Sequence, residues 1–198
     1  MITKLFNPFK YIAGGYSLII GVLVLLFTAL IGFFSNTHFP DLISVKTSPD
    51  FPLQYFIIQS LSNWIVVSSI FYLTSIIASV SKVRVIDIFG TQALARFPYL
   101  IASFIGFSNS MDNFGKYILW ELIQKGEPVE LSVSAIVIAI SLIILTLLLT
   151  IWLVVLMFNA FKVSANLKGY KLILLFITGF ILSIFLTGLI SNQLIQIF

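Results

Sequence analysis

Long runs of apolar residues without a charged side chain dominate the chain, and polar positions gather in the intervals between them. A helix that crosses a bilayer needs roughly 20 apolar residues. Four runs satisfy this requirement without a single charge, at about 14–34, 53–80, 131–158 and 172–190. The pattern therefore predicts four membrane-spanning α-helices.

A fifth apolar segment, at about 86–108, leaves two interpretations open. It contains Asp87 and Arg96, followed by Pro98, and its charge-free part has about half the length of a straight crossing. Either the segment crosses while Arg96 snorkels to the headgroups, or it forms an interfacial helix that does not cross. For Arg96 we favour a topology marker over a contact with a lipid phosphate or a partner's carboxylate.

The distribution of lysine and arginine favours the crossing, because cytoplasmic loops of membrane proteins are enriched in both residues. With five spans, eight basic residues lie on the side of the N-terminus and three on the other. Without the third crossing the split is seven to four. We therefore expect an all-α fold: one polytopic helical bundle over residues 1–198 with five spans, the N-terminus in the cytoplasm and the C-terminus outside.

Two connections on the outer side differ in character. Residues 109–130 carry an apolar stripe at helical spacing, made up of Met111, Phe114, Tyr117, Ile118 and Leu122. Because Gly126 and Pro128 then stop the helix, the pattern predicts a short amphipathic helix on the outer membrane surface. Residues 36–52 contain three prolines and predict an extended loop, in which His38 has one nearby carboxylate and is not expected to bind a metal.

Composition narrows the class of protein. With 60% hydrophobic and 9% charged residues, the chain is not an ordinary soluble domain. The absence of cysteine excludes disulfides, thiol nucleophiles and cysteine-ligated metals. The chain contains no nucleotide-binding or hydrolase motif, and its basic residues are scattered between apolar runs. We therefore expect no catalysis, no cofactor and no nucleic-acid partner.

The second span carries the most polar side chains. Gln59 and Asn63 are four residues apart and therefore share one helix face. Amides in hydrocarbon need partners, so this face should point toward other helices or a wet cavity rather than lipid. Hydrogen bonding between helices is the favoured explanation, and a path for a substrate or ion is the alternative.

Small residues four positions apart recur in four spans and are typical of helices that pack closely. The pairs are Ser17 and Gly21, Thr28 and Gly32, Ser75 and Ser79, Ala135 and Ala139, and Gly179 and Ser183. This spacing does not distinguish packing within the chain from the assembly of a homo- or hetero-oligomer.

Two segments carry a resemblance to a known family. Arg84–Gly106, RVIDIFGTQALARFPYLIASFIG, combines a basic start with the run FG-x-x-A-x-A-x-x-P and a proline-bearing third span. Trp152–Phe176 joins a Trp-led fourth span through a polar hinge to a lysine-containing start of the last span. With five helices and a cytoplasmic N-terminus, the chain resembles the Yip1 family of small membrane proteins.

The resemblance implies a polytopic helical protein without known catalysis. Eukaryotic members lie in Golgi and endoplasmic reticulum membranes and associate with prenylated Rab-type GTPases and with one another. This chain has only about 12 residues before its first span, instead of a long acidic region, which argues against GTPase binding. It looks more like the short bacterial members, and an inner (plasma) membrane location would follow.

A non-enzymatic protein that organises the membrane through lipids or partners is therefore the favoured function. The alternatives are a small-solute or lipid permease or channel, and an accessory subunit of a membrane complex. The candidate residues for a polar face, or for contact with lipid or a partner, are Gln59, Asn63, Arg96 and Pro98.

Overall fold

The computed structural model describes residues 5–47, 51–79, 82–126 and 130–198. Helices make up nearly all of its regular structure. They are α1 (Gly14–Ser35), α2 (Leu53–Ala78), α3 (Val85–Leu94), α4 (Phe97–Ala102), α5 (Ser110–Ile123), α6 (Val133–Ala165) and α7 (Gly169–Ile197). Two 3-10 turns, Pro8–Lys10 and Ile105–Phe107, and two short strands, β1 (Thr37–His38) and β2 (Lys46–Thr47), complete the described elements.

Five segments are long and apolar enough to cross a membrane, as the hydrophobic pattern predicts: α1, α2, residues 85–107, α6 and α7. The last two helices extend beyond the predicted bounds, because residues 159–165 continue α6 and residues 191–197 continue α7. Only residues 166–168 connect them. Three residues used in the sequence interpretation lie outside the described residues. They are Pro49 in the predicted loop, Val80 at the predicted end of the second span, and Pro128 after the predicted amphipathic helix.

The third crossing is discontinuous. Pro98 stands near the start of α4, where it lacks the N–H that would bond to the carbonyl of Leu94. Helical bonding therefore stops after α3 and restarts at α4, with Arg96 in the break. The segment is the most deeply buried of the five, with 72% of its most apolar window inside the bundle. Burial to this extent by the other helices favours a crossing over a helix lying on the membrane surface.

The α1 helix packs closely against this third crossing. A Cβ atom on Gly21 would lie 2.5 Å from the Cβ of Ala93, and one on Gly90 would lie 2.5 Å from Oγ of Ser17. Thr28 and Gly32 are also buried. The small-residue pairs of α1 therefore serve packing within the chain.

Around this centre, α6 lies against the third crossing and α7 lies against α2. Aromatic rings pack between the connected ends of α6 and α7, since Phe71 of α2 stacks on Phe161 at 4.7 Å and on Phe176 at 5.5 Å.

Asp87, at the start of the third crossing, has two basic residues nearby in the sequence, Lys82 and Arg84. It forms its ion pair with Arg84, at 2.8 Å.

The predicted amphipathic helix is present as α5, which packs against α6. Four residues of its predicted stripe, Met111, Phe114, Tyr117 and Ile118, are half-buried. The side chain of Leu122, the fifth, lies outside the described residues.

Candidate functional site: a hairpin inside the bundle

The connection between α1 and α2 folds back into the bundle. Its strands pair antiparallel, Thr37 with Thr47 and His38 with Lys46, and we call residues 37–47 the hairpin. Phe39 and Leu42 are buried, Leu42 completely. The prediction of an extended loop is therefore corrected, because these apolar side chains pack inside the bundle instead of staying exposed.

The hairpin reaches back from the C-terminal end of the third crossing toward its middle. Thr37 Oγ1 accepts a hydrogen bond from the backbone N–H of Gly106 at 3.0 Å. The carbonyl of Leu42 accepts one from the Tyr99 hydroxyl at 2.8 Å. Tyr99 precedes Gly106 by seven residues, so the hairpin runs alongside about two turns of the third crossing. The tip of the hairpin thus lies between the helices.

Gln59 and Asn63 hold the backbone of Phe39. The N–H of Phe39 donates to Gln59 Oε1 at 3.1 Å, and Asn63 Nδ2 donates to the carbonyl of Phe39 at 2.7 Å. These two side chains, one helical turn apart, therefore make the hydrogen bonds to the backbone of Phe39 that a neighbouring β-strand would otherwise make. An unsatisfied backbone group in hydrocarbon costs several kcal/mol, which explains why an apolar helix carries two amides here.

Gln59 also starts a chain of hydrogen bonds. Its Nε2 donates to the Tyr55 hydroxyl at 2.8 Å and to Ser191 Oγ of α7 at 3.0 Å. The bond to Ser191 is the expected hydrogen bonding between helices, although Gln59 and Asn63 make more of their bonds to the hairpin. The Tyr55 hydroxyl lies 3.0 Å from Nδ1 of His38.

The Tyr55 hydroxyl and Nδ1 of His38 share this hydrogen bond, and which of them donates depends on the tautomer of the ring. Burial first, and then the charge of Lys46, lower the pKa of His38 to about 4.

Arg96 does not reach the headgroups. It is 3% exposed, so the prediction that it snorkels as a topology marker is wrong. Its Nε and Nη2 atoms are buried and have no hydrogen-bond partner among the described residues. One turn later, the ring of Tyr99 stacks on Phe39 with the ring centres 4.4 Å apart.

A small cavity brings these groups together. Its volume is about 10 Å³, close to the smallest space that holds one water molecule. Residues of α1, α2, the hairpin and the third crossing line it. Its polar lining consists of Thr28, Thr37, His38, Gln59, Ser60, Asn63, Arg96 and Tyr99. The fourth candidate residue, Pro98, is buried but does not line it.

Sequence reasoning missed four members of this cluster: His38, Tyr55, Tyr99 and Ser191. One signal was available, since Tyr55 precedes Gln59 by four residues on the same face of α2.

The cluster combines one fixed positive charge, on Arg96, with amide and hydroxyl groups. Within the described ranges, no group of three or more His, Asp or Glu side chains is placed to hold a metal ion.

Comparison of the chain with family models, with curated proteins and with solved structures found no match. The likeness to the Yip1 family therefore depends on the two sequence segments alone.

Replacing Asn63 with Leu removes the donor to the Phe39 carbonyl and leaves that carbonyl buried without a partner. We expect the free energy of unfolding in detergent to fall by about 1–3 kcal/mol. Gln54→Leu is the matched control, since it removes an exposed amide of the same helix. Chemical denaturation measures both variants, and equal stability losses would contradict the role of Asn63.

Acidification should weaken the hairpin through His38. Its pKa is about 4 in the fold and near 6.5 in the unfolded chain, so the unfolded state binds the proton more readily between these values. Stability is therefore complete above about pH 6.5 and declines as the pH falls to about 4, by at most roughly 3 kcal/mol.

Thermal unfolding between pH 7.5 and 4.5 tests this expectation against His38→Gln. The variant should be less stable at pH 7.5 and should lose less stability on acidification. Parallel curves for the two proteins would show that His38 does not titrate as described.

Proposed function

We propose that the chain is a non-enzymatic membrane protein of the Yip1 type, which organises its membrane through contacts with lipids or protein partners in the plane of the bilayer. One observation carries this proposal. The amides of Gln59 and Asn63, the candidates for a substrate or ion path, bond to the chain's own hairpin. At the same time, the last two helices keep long apolar faces uncovered.

The uncovered faces belong to α6 and α7, in which 17% and 22% of the most apolar window is buried. Phe158 and Phe161 of α6 contact Phe176 of α7 near the connection. Beyond that contact, α6 follows the third crossing and α7 follows α2. Their outward residues are large and aliphatic or aromatic, among them Val137, Ile144, Leu148, Ile181 and Phe185. Lipid tails or partner helices suit such faces equally well.

The proposal includes an orientation and a location. With Arg96 inside the bundle, seven basic residues remain on the side of the N-terminus and three on the other, which supports a cytoplasmic N-terminus. By the resemblance, the membrane is the inner membrane of a bacterium. We place α5 on its outer surface, because the half-buried stripe lies opposite the exposed ion pair of Asp112 and Lys116.

The permease alternative receives less support. Gln59 and Asn63 are bonded to Phe39, and the cavity beside them has room for about one water molecule. A path through this face would require the hairpin to leave the bundle.

Because the chain lacks cysteine, single cysteines can report the orientation. A membrane-impermeant maleimide applied to intact cells should label Lys46→Cys and Lys116→Cys, and should label Lys168→Cys only after permeabilisation. Labelling of all three positions from the same side would overturn the five-span topology. The opposite pattern would reverse the orientation.

Photo-crosslinking in native membranes tests the proposed contacts. A benzophenone side chain at Ile140 of α6 or Ile181 of α7, both exposed, should give an adduct of one defined mass with a second copy or another protein. The control is Ile19, an exposed position on α1, where we expect only lipid adducts. A protein that stays monomeric at all three positions would contradict partner binding.

A further inference from the structure

We infer that Arg96 is the binding site for a compact inorganic anion of about the size of chloride, held in the cavity beneath the hairpin. This inference concerns the interior of the bundle and does not depend on the lateral contacts proposed above.

The first argument is the position of the charge. Arg96 follows Val85 by 11 residues, which places it about 16 Å along the third crossing, near the middle of a hydrocarbon core of about 30 Å. A guanidinium does not lose its proton in proteins, so Arg96 remains a cation there. Ionisable residues at this depth are costly and usually pair with another group.

The second argument is that no carboxylate of the described residues pairs directly with this charge. Among the described residues, no carboxylate lies within 4 Å of the guanidinium. Asp87 pairs with Arg84, and Asp112 pairs with Lys116. Asp41 accepts hydrogen bonds from Ile43 and Ser44 within the hairpin.

The third argument is that the guanidinium has donors to offer. Its Nε and Nη2 atoms are both buried without a partner. Across the cavity, Asn63 gives one N–H to Phe39 and has a second, because an amide nitrogen carries two hydrogens. These groups can donate to an anion but offer it no competing negative charge.

The size of the cavity selects the ligand. A volume of about 10 Å³ is close to that of one water molecule, so a lipid phosphate or a partner's carboxylate does not fit while the hairpin is in place. Chloride, a single atom somewhat larger than water, fits when the lining side chains move outward slightly. Water alone would leave the positive charge uncompensated. Leu25, Ala29 and Phe56 supply an apolar part of the lining, which favours a weakly hydrated halide over a strongly hydrated phosphate.

Thermal unfolding in detergent tests the site, with sodium chloride replacing sodium gluconate at constant ionic strength. A ligand that binds only the folded state raises the unfolding midpoint in a saturable manner. We expect a rise of several degrees with chloride and with bromide, and none with phosphate. An equal response to phosphate would show a general salt effect and overturn the inference.

Variants assign the effect to the residue. Arg96→Gln should lose the response to chloride, whereas Arg84→Gln, which removes an exposed arginine of the same crossing, should keep it. A response that survives Arg96→Gln, or that both variants lose, would overturn the assignment.

The wild-type protein provides a measurement that does not depend on the folding of a variant. In crystals grown with bromide, an anomalous peak should lie within hydrogen-bond distance of Nε or Nη2 of Arg96. The absence of that peak, or a midpoint that does not respond to chloride, would overturn the inference.

Discussion

The backbone of a chain inside a bilayer must find its hydrogen-bond partners within the protein, and the hairpin makes this requirement acute. Phe39 and Leu42, buried apolar residues of this irregular segment, bond with the surrounding helices rather than with water. Gln59 and Asn63 satisfy Phe39, and Tyr99 satisfies Leu42. The polar face of α2 is therefore the consequence of placing a loop among helices, and it holds α1, α2, α4 and α7 in register.

The same requirement shapes the third crossing. Pro98 interrupts its helical bonding, and the restart at α4 directs Tyr99 toward the hairpin and Arg96 into the interior. A segment with these polar groups is unfavourable in contact with lipid tails, which offer no hydrogen-bond partners. Gly21 and Gly90 let α1 approach it closely, so that protein rather than lipid surrounds it.

The sequence was sufficient to predict features that depend on neighbouring residues. The lengths of the apolar runs predicted four spans, the distribution of basic residues favoured a fifth, and the stripe of Met111, Phe114 and Tyr117 predicted α5. The hairpin and the position of Arg96 depend instead on contacts between distant residues. Gln59 and Ser191 are separated by 132 positions, and Leu42 and Tyr99 by 57. Local hydropathy therefore gave no sign that the proline-containing loop folds back into the bundle, and it directed the arginine to the headgroups.

Because the hairpin covers the cavity, it also governs access to Arg96. Phe39 stacks on Tyr99, and His38 bonds to Tyr55, so a ligand cannot exchange with the outer solution until these contacts open. Opening leaves the two backbone groups of Phe39 and the carbonyl of Leu42 without their hydrogen-bond partners, which makes it costly. An anion bound at Arg96 would therefore exchange slowly. The bound anion would also favour the closed hairpin, since it and the hairpin both lie beside the same guanidinium.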